Sequence, residues 1–181
     1  MNAPLNYGTE QQLFDGCVSM WRDYRATWAR RRDWVFNCLE LCESPIERKL
    51  FIPMLFWETF RVKVIAPAPG LSTYNDRFDD RLTVFIEPQA MIGKYRVDFL
   101  ITPTMGEREG KRLIVECDGH DFHERTKAQA RKDRSRDREL TALGYLVFRY
   151  TGSEIHADPI RCSDQVESVV WQELPLNEAA V

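Results

Sequence analysis

Residues 95–119 read YRVDFLITPTMGEREGKRLIVECDG. Two apolar runs, Tyr95 to Ile101 and Leu113 to Cys117, flank a polar stretch from Thr102 to Lys111 that holds Gly106 and Gly110. That is the pattern of two strands joined by a turn. Acids interrupt both runs: Asp98 in the first, Glu116 at the end of the second, and Asp118 just past it. Side chains alternate along a strand, so Glu116 and Asp118 share a face, and pairing of the strands brings Asp98 opposite the Glu116 region. A charge inside an apolar strand is costly unless it is used. The plain alternative is that these acids end their strands and are solvated. If they converge, each raises the pKa of the others, and a hard divalent cation removes that penalty. Oxygen ligands suit Mg²⁺ or Mn²⁺.

The same reading extends outward in both directions. After Gly119, a strongly charged segment from Thr126 to Leu143 predicts a helix that ends at Gly144, where a left-handed cap is easy. Tyr145 to Tyr150 predicts a strand, and strand–helix–strand is most simply a right-handed parallel crossover. An amphipathic helix follows over Pro159 to Glu173. Upstream, Leu82 to Glu87 is strand-like, with Gly93 in the connection to Tyr95. Ala66 to Asp80, rich in Pro, Gly, Ser, Asn and Asp, reads as a loop, and Val62 to Ile65 as a short strand. Ser44, Pro45 and Glu47 are an N-cap, a first-position proline and an acid three residues after the cap, so a helix starts there. Leu13, Val18, Trp21, Trp28, Val35 and Leu39 recur near helical spacing and predict a helix over 10–40. The sum is an α/β (α+β) chain with one central mixed sheet flanked by helices. Its expected organisation is a helical extension over 1–43, a domain over 44–175 and a flexible tail over 176–181.

With 181 residues, 44% of them hydrophobic and five tryptophans, the chain has enough apolar material for one core. No apolar run approaches the ~20 residues of a membrane span, and Met1 to Glu10 lacks the pattern of a secretory signal. A soluble, cytoplasmic protein with no membrane partner is expected. Cysteines 17, 38, 42, 117 and 162 are odd in number and show no CxxC spacing, so free thiols are expected. Cys38 and Cys42, one helical turn apart, read as small buried residues. The net charge of -3 does not advertise a nucleic-acid binder. The average hides a basic run: Arg125, Lys127, Arg131, Lys132, Arg134, Arg136 and Arg138 are opposed only by Asp133 and Asp137. Lys127, Arg131 and Arg134 fall on one helical face, suited to phosphates, although many such runs are only solvated surface. Asp133 and Asp137 fall on another, where each can pair with a basic neighbour, Arg149 among them.

Taken in order, Tyr95-Arg96-Val97-Asp98-Phe99, Val115-Glu116-Cys117-Asp118-Gly119, Asp133-Arg134-x-Arg136-Asp137, Leu143-Gly144-Tyr145 and Phe148-Arg149-Tyr150 form a recognisable set. It resembles the short endonuclease domains related to very-short-patch repair endonucleases, within the PD-(D/E)XK, or restriction-endonuclease-like, superfamily. The resemblance covers about Ser44 to Ile155. It implies a metal-dependent endonuclease that hydrolyses phosphodiester bonds, with DNA as the expected substrate and Mg²⁺ (or Mn²⁺) as the cofactor. Asp98 and Glu116 are then the metal-binding acids, and Glu47 matches the helix acid that completes the metal shell; its alternative is a capping glutamate, and one side chain cannot easily do both.

Asp118 stands where the superfamily places a lysine that orients the attacking water. It becomes a candidate further ligand, and the cationic role passes to Lys127 or Arg131 on the next helix. A histidine, with a pKa near ~6.5, can accept a proton from water, and relatives use one near this place. His123, then His120, is therefore the candidate general base, and His120 otherwise joins Lys127, Arg131 and Arg134 as a nucleic-acid contact. Both histidines can equally be ordinary turn residues. Two other readings stay open: a non-catalytic nucleic-acid-binding module on the same fold, and a protein-interaction module docking through the tryptophan-rich first helix. A homodimer or larger complex is compatible with each.

Overall fold

A computed structural model describes residues 10–65, 82–119 and 127–175; most side chains over 10–28 and those of 127–130 also lie outside the description. The expected loop over 66–80 and tail over 176–181 are outside the described residues. The elements run α1 (Glu10–Leu39), α2 (Pro45–Met54), β1 (Arg61–Val64), β2 (Leu82–Ile92), β3 (Tyr95–Met105), β4 (Arg108–Glu109), β5 (Leu113–Asp118), α3 (Lys127–Ala142), β6 (Leu146–Thr151), α4 (Gly152–Ala157) and α5 (Pro159–Gln172). The sheet order is β1-β2-β3-β5-β6, with the two-residue β4 paired on β3. β2, β3 and β5 are antiparallel neighbours, while β1 on β2 and β6 on β5 are parallel. This is the mixed sheet expected, crossover included.

Local chemistry explains where the elements start and stop. Ser44 caps α2: its Oγ accepts from the Glu47 N–H at 3.3 Å, and Pro45 follows as the first helical residue. The β2–β3 hairpin closes through Gly93 and Lys94 between paired Ile92 and Tyr95. Gly93 has φ 58°, which glycine tolerates at the first central position of a two-residue hairpin turn. Gly144, φ 93°, ends α3 as expected. β2 and β3 each run longer than their apolar runs suggest, because pairing carries them through Pro88 and Pro103. α4 is not anticipated by the sequence reading; Thr151 and Glu154 start it with reciprocal capping bonds.

The sheet separates two apolar clusters. Leu113 and Val115 point to one side, where Leu50, Phe51 and Met54 of α2 and Cys162, Val166 and Val170 of α5 complete the main core. Phe51 and Phe99 meet with ring centroids 5.0 Å apart. Trp34 and Cys38 bring the end of α1 into the same core, and Trp57 is fixed there by a 2.8 Å bond from Nε1 to Ser163 Oγ. Cys38, Cys42 and Cys162 are buried free thiols. Ile114 points to the other side, where only Ala90, Ile92, Val97 and Leu140 of α3 form a small buried cluster. Among the described residues no helix is long and apolar enough to cross a membrane.

Candidate active site

The α3 side of the sheet carries the acids. Phe99 pairs with Val115, so the next positions set Asp98 against Glu116, and Asp98 Oδ2 accepts from the Cys117 N–H at 2.7 Å. Glu116 and Asp118 follow Ile114 in the strand alternation and emerge on its face. Both are buried despite their charge. Glu47 is buried as well, in the first turn of α2.

Each acid has a partner. Arg136 grips Glu116, with Nη2 on Oε1 at 2.6 Å and Nη1 near Oε2 at 3.4 Å. The same Nη2 reaches the Arg96 carbonyl, and the guanidinium lies 5.6 Å over the Tyr95 ring. Arg149 bridges two acids: Nη1 lies 3.2 Å from Asp118 Oδ1, and Nη2 is 2.7 Å from Asp137 Oδ1. Glu47 accepts three bonds, from Ser44 Oγ at 2.6 Å, the Glu43 N–H at 3.0 Å and Gln89 Nε2 at 2.8 Å. Glu47 is therefore a capping side chain, one of the two readings open to it, and its third bond ties it to β2.

The two guanidiniums do not bring Glu116 or Asp98 down to the ordinary carboxylate range. Burial pushes the Glu116 carboxyl up to about 7; Arg136 opposes that shift, and Asp98 and Asp118 add to it. Burial also raises Asp98, with the charges of Glu47 and Asp118 adding and the Cys117 N–H and Arg136 opposing. Desolvation outweighs the arginines at both carboxyls. Such a set of buried oxygen donors suits a hard divalent cation. Among the described residues, however, no three His, Cys, Asp or Glu side chains form a ready-made metal cluster. A cation entering here must compete with Arg136 for Glu116.

The structure thus brings together Asp98, Glu116 and Asp118, and the Gln89 bond sets Glu47 beside β2, the strand paired with that of Asp98. His120 and His123 lie outside the described residues, and so does the side chain of Lys127, the first residue of α3. Arg131 and Arg134 are on the exposed surface of α3. Arg136 and Gln89 were assigned no role by the sequence reading. Asp133, Arg136, Asp137 and Leu140 recur at i, i+3, i+4 and i+7, the spacing of one helix face. Leu140 is the buried member, and it marks that face as inward. Gln89 carries no comparable signal. Outside the acids, Tyr95 and Lys94 each contact Glu139 of α3, at 2.8 and 2.9 Å. Arg96 holds Glu43 with two bonds of 2.6 and 2.7 Å. The β2–β3 hairpin is thereby tied to both α3 and the start of α2.

Comparison with known families returns the model of a restriction-endonuclease-like family, REase_MTES_1575, which matches residues 80–170. That span holds Asp98, Glu116, Asp118, Arg136 and Arg149 and leaves Glu47 outside. No curated protein and no solved structure matches the chain.

Proposed function

Because this chain belongs to that restriction-endonuclease-like family, of the PD-(D/E)XK superfamily, we propose that it is a metal-dependent endonuclease acting on DNA. The observation that carries the proposal is a pair of acids inside the sheet: Asp98, half-buried on β3, stands opposite the buried Glu116 of β5. Asp98 and Glu116 would hold Mg²⁺ or Mn²⁺, with Asp118 and Glu47 as further oxygen ligands. Such an ion, when bound, supplies Lewis acidity toward a phosphate oxygen and toward the attacking water. The reading extends to a kinship with very-short-patch repair endonucleases, which the ordered motifs around Asp98, Glu116 and Asp118 support.

The chain's own residues do the rest. The Cys117 N–H fixes the Asp98 carboxylate in place before any ion arrives. Arg136, which pairs with Glu116, is the candidate to offset charge gathering on the phosphoryl oxygens, the task of the lysine this chain lacks. Lys127 is the second candidate for that task. His123 takes the proton from water. His120, Lys127, Arg131 and Arg134 meet the phosphates, a role suited to the exposed guanidiniums on α3.

The decisive experiment incubates supercoiled plasmid with the protein in Mg²⁺, Mn²⁺ or EDTA, beside Asp98→Ala and Glu116→Ala. Metal-dependent nicking should fall by ~10³-fold or more in either variant while both stay folded. Retained nicking in both would sink the assignment. One observation favours a different reading, a nucleic-acid-binding module without catalysis: Glu116 and Asp118 already have arginine partners. Calorimetry with Mn²⁺ separates the two, since that module has no use for the ion.

A further inference from the structure

The residue facing Asp98 across the hairpin has an unusual backbone. β2 and β3 keep one register from Leu82–Met105 to Ile92–Tyr95, which sets Gln89 opposite Asp98. Gln89 has φ 55°, the one positive value at a non-glycine position among the described residues. A branched-off Cβ resists this left-handed region, and a glutamine has no special ease there. Reversal of the chain does not demand it, because Gly93 and Lys94 make the turn.

Packing shows what the distortion does. Val84 and Ile86 belong to the main core, yet Ala90 and Ile92, of the same strand parity, belong to the small cluster under α3. The hairpin turns over between them. In an undistorted strand Gln89 would follow Phe85 and Glu87, away from the core face that receives α2. Turned as it is, Nε2 donates to Glu47 Oε2 at 2.8 Å. Pro88 suits the same place: β1 stops pairing at Val64–Ile86, and among the described residues no strand lies beside β2 beyond it to take an N–H.

Glu47 has two other donors, Ser44 Oγ and the Glu43 N–H, and both belong to the start of its own helix. They would hold it as a cap wherever the hairpin lay. The Gln89 bond ties the carboxylate itself to β2, beside the Arg96–Glu43 pair that ties β3 to the same helix start. Three donors leave one lone pair of the four on the carboxylate, on Oε1. A strained conformation that survives in a strand and aims one side chain at a buried acid is the kind kept for a site.

We propose that Gln89 is a positioning residue, whose carboxamide commits Glu47 to the strand acids so that the helix carboxylate serves as an oxygen ligand for a divalent cation. The inference rests on the metal-dependent reading above. Gln89→Gly and Gln89→Asn both accept the left-handed backbone and both remove the reach to Glu47. In EDTA each should melt at or above the wild-type temperature. By calorimetry each should bind Mn²⁺ about 10–100-fold more weakly, as loss of an outer-shell partner does. Adding Glu47→Gln to Gln89→Gly should cost less than Glu47→Gln costs alone, because the two act through one bond.

Wild-type Mn²⁺ affinity in both variants, or additive losses in the double variant, would overturn the role of Gln89 and leave the metal site standing. Unfolding of both variants would overturn it too, since the amide would then hold the fold and not the site. Wild-type protein that binds no Mn²⁺ would remove the metal reading itself, and Gln89 with it.

Discussion

The two faces of the sheet are built on opposite terms. On the α2–α5 face, Phe51, Phe99, Ile101 and Val115 are fully buried beside other apolar side chains. On the α3 face a handful of apolar residues shares the space with Glu116, Asp118, Arg136 and Arg149. The first face gains from every buried methylene, ~0.8 kcal/mol each. The second gives part of that away by keeping carboxylates out of water. The difference teaches where stability and chemistry are divided: one sheet, anchored from one side, can hold unfavourable charge on the other.

The largest effect should come from the anchoring face. Phe51→Ala removes a fully buried ring in contact with Phe99 and should cost ~3–5 kcal/mol, read from chemical denaturation. Nicking by the folded fraction should stay near wild type, because Phe51 packs on Phe99 in the main core, across the sheet from Glu116 and Asp118. A loss of activity greater than the loss of folded protein would break the division between the faces.

Arg136→Ala should act on the other face, more weakly and in a pH-dependent way. The buried carboxyl of Glu116 titrates at about 7 in the fold against 4.5 for the ordinary group. Between those values the folded chain keeps a proton that the unfolded chain has released. The contribution of Glu116 to stability is therefore fullest below about 4.5 and is lost as pH rises to about 7, by at most ~3 kcal/mol. Arg136 limits that loss by favouring the ionised form. Removing it should cost little at pH 5.5 and ~1–3 kcal/mol at pH 8, measured in EDTA. A cost that does not change with pH would mean the arginine only packs there. In the intact protein, Mn²⁺ affinity should climb as pH approaches 7 and flatten above it, since the ion and the proton compete for Glu116.

How much of this was legible depended on period and on distance. Asp98, Glu116 and Asp118 could be placed because strand alternation and one turn determine which side chains meet. The α3 crossover and the cap at Ser44 were readable for the same reason: their signals are local. Arg136 was hidden among seven basic residues, and only Leu140, four residues on, betrays its inward face. α4 was missed although Thr151 and Glu154 carry the capping signature, because Gly152 between them looks like a breaker. Yet Gly152 lies so near the end of β5 that a Cβ there would stand 3.3 Å from the Asp118 carbonyl. Gln89 was beyond sequence reasoning altogether. Its side chain meets a partner 42 residues away on α2, and no periodicity encodes that.

The smallest effect should lie outside both faces, on the outer surface of α3. Arg131 is exposed and stands on the helix side turned from Leu140, so Arg131→Ala should leave stability unchanged within ~0.5 kcal/mol. If this side meets phosphates, the variant should bind DNA more weakly across all sequences, and its plot of log affinity against log salt should flatten by about one unit. Lys127→Ala should do the same. An unchanged slope in both would exclude phosphate contact by this helix face and move the DNA to another surface. Arg136→Ala offers the contrast within the same helix: its guanidinium is spent on Glu116, so its salt slope should stay near wild type until an ion or a phosphate draws it away. A full unit lost there, and none at Arg131, would mean that the inner face of α3 is the one that meets the nucleic acid.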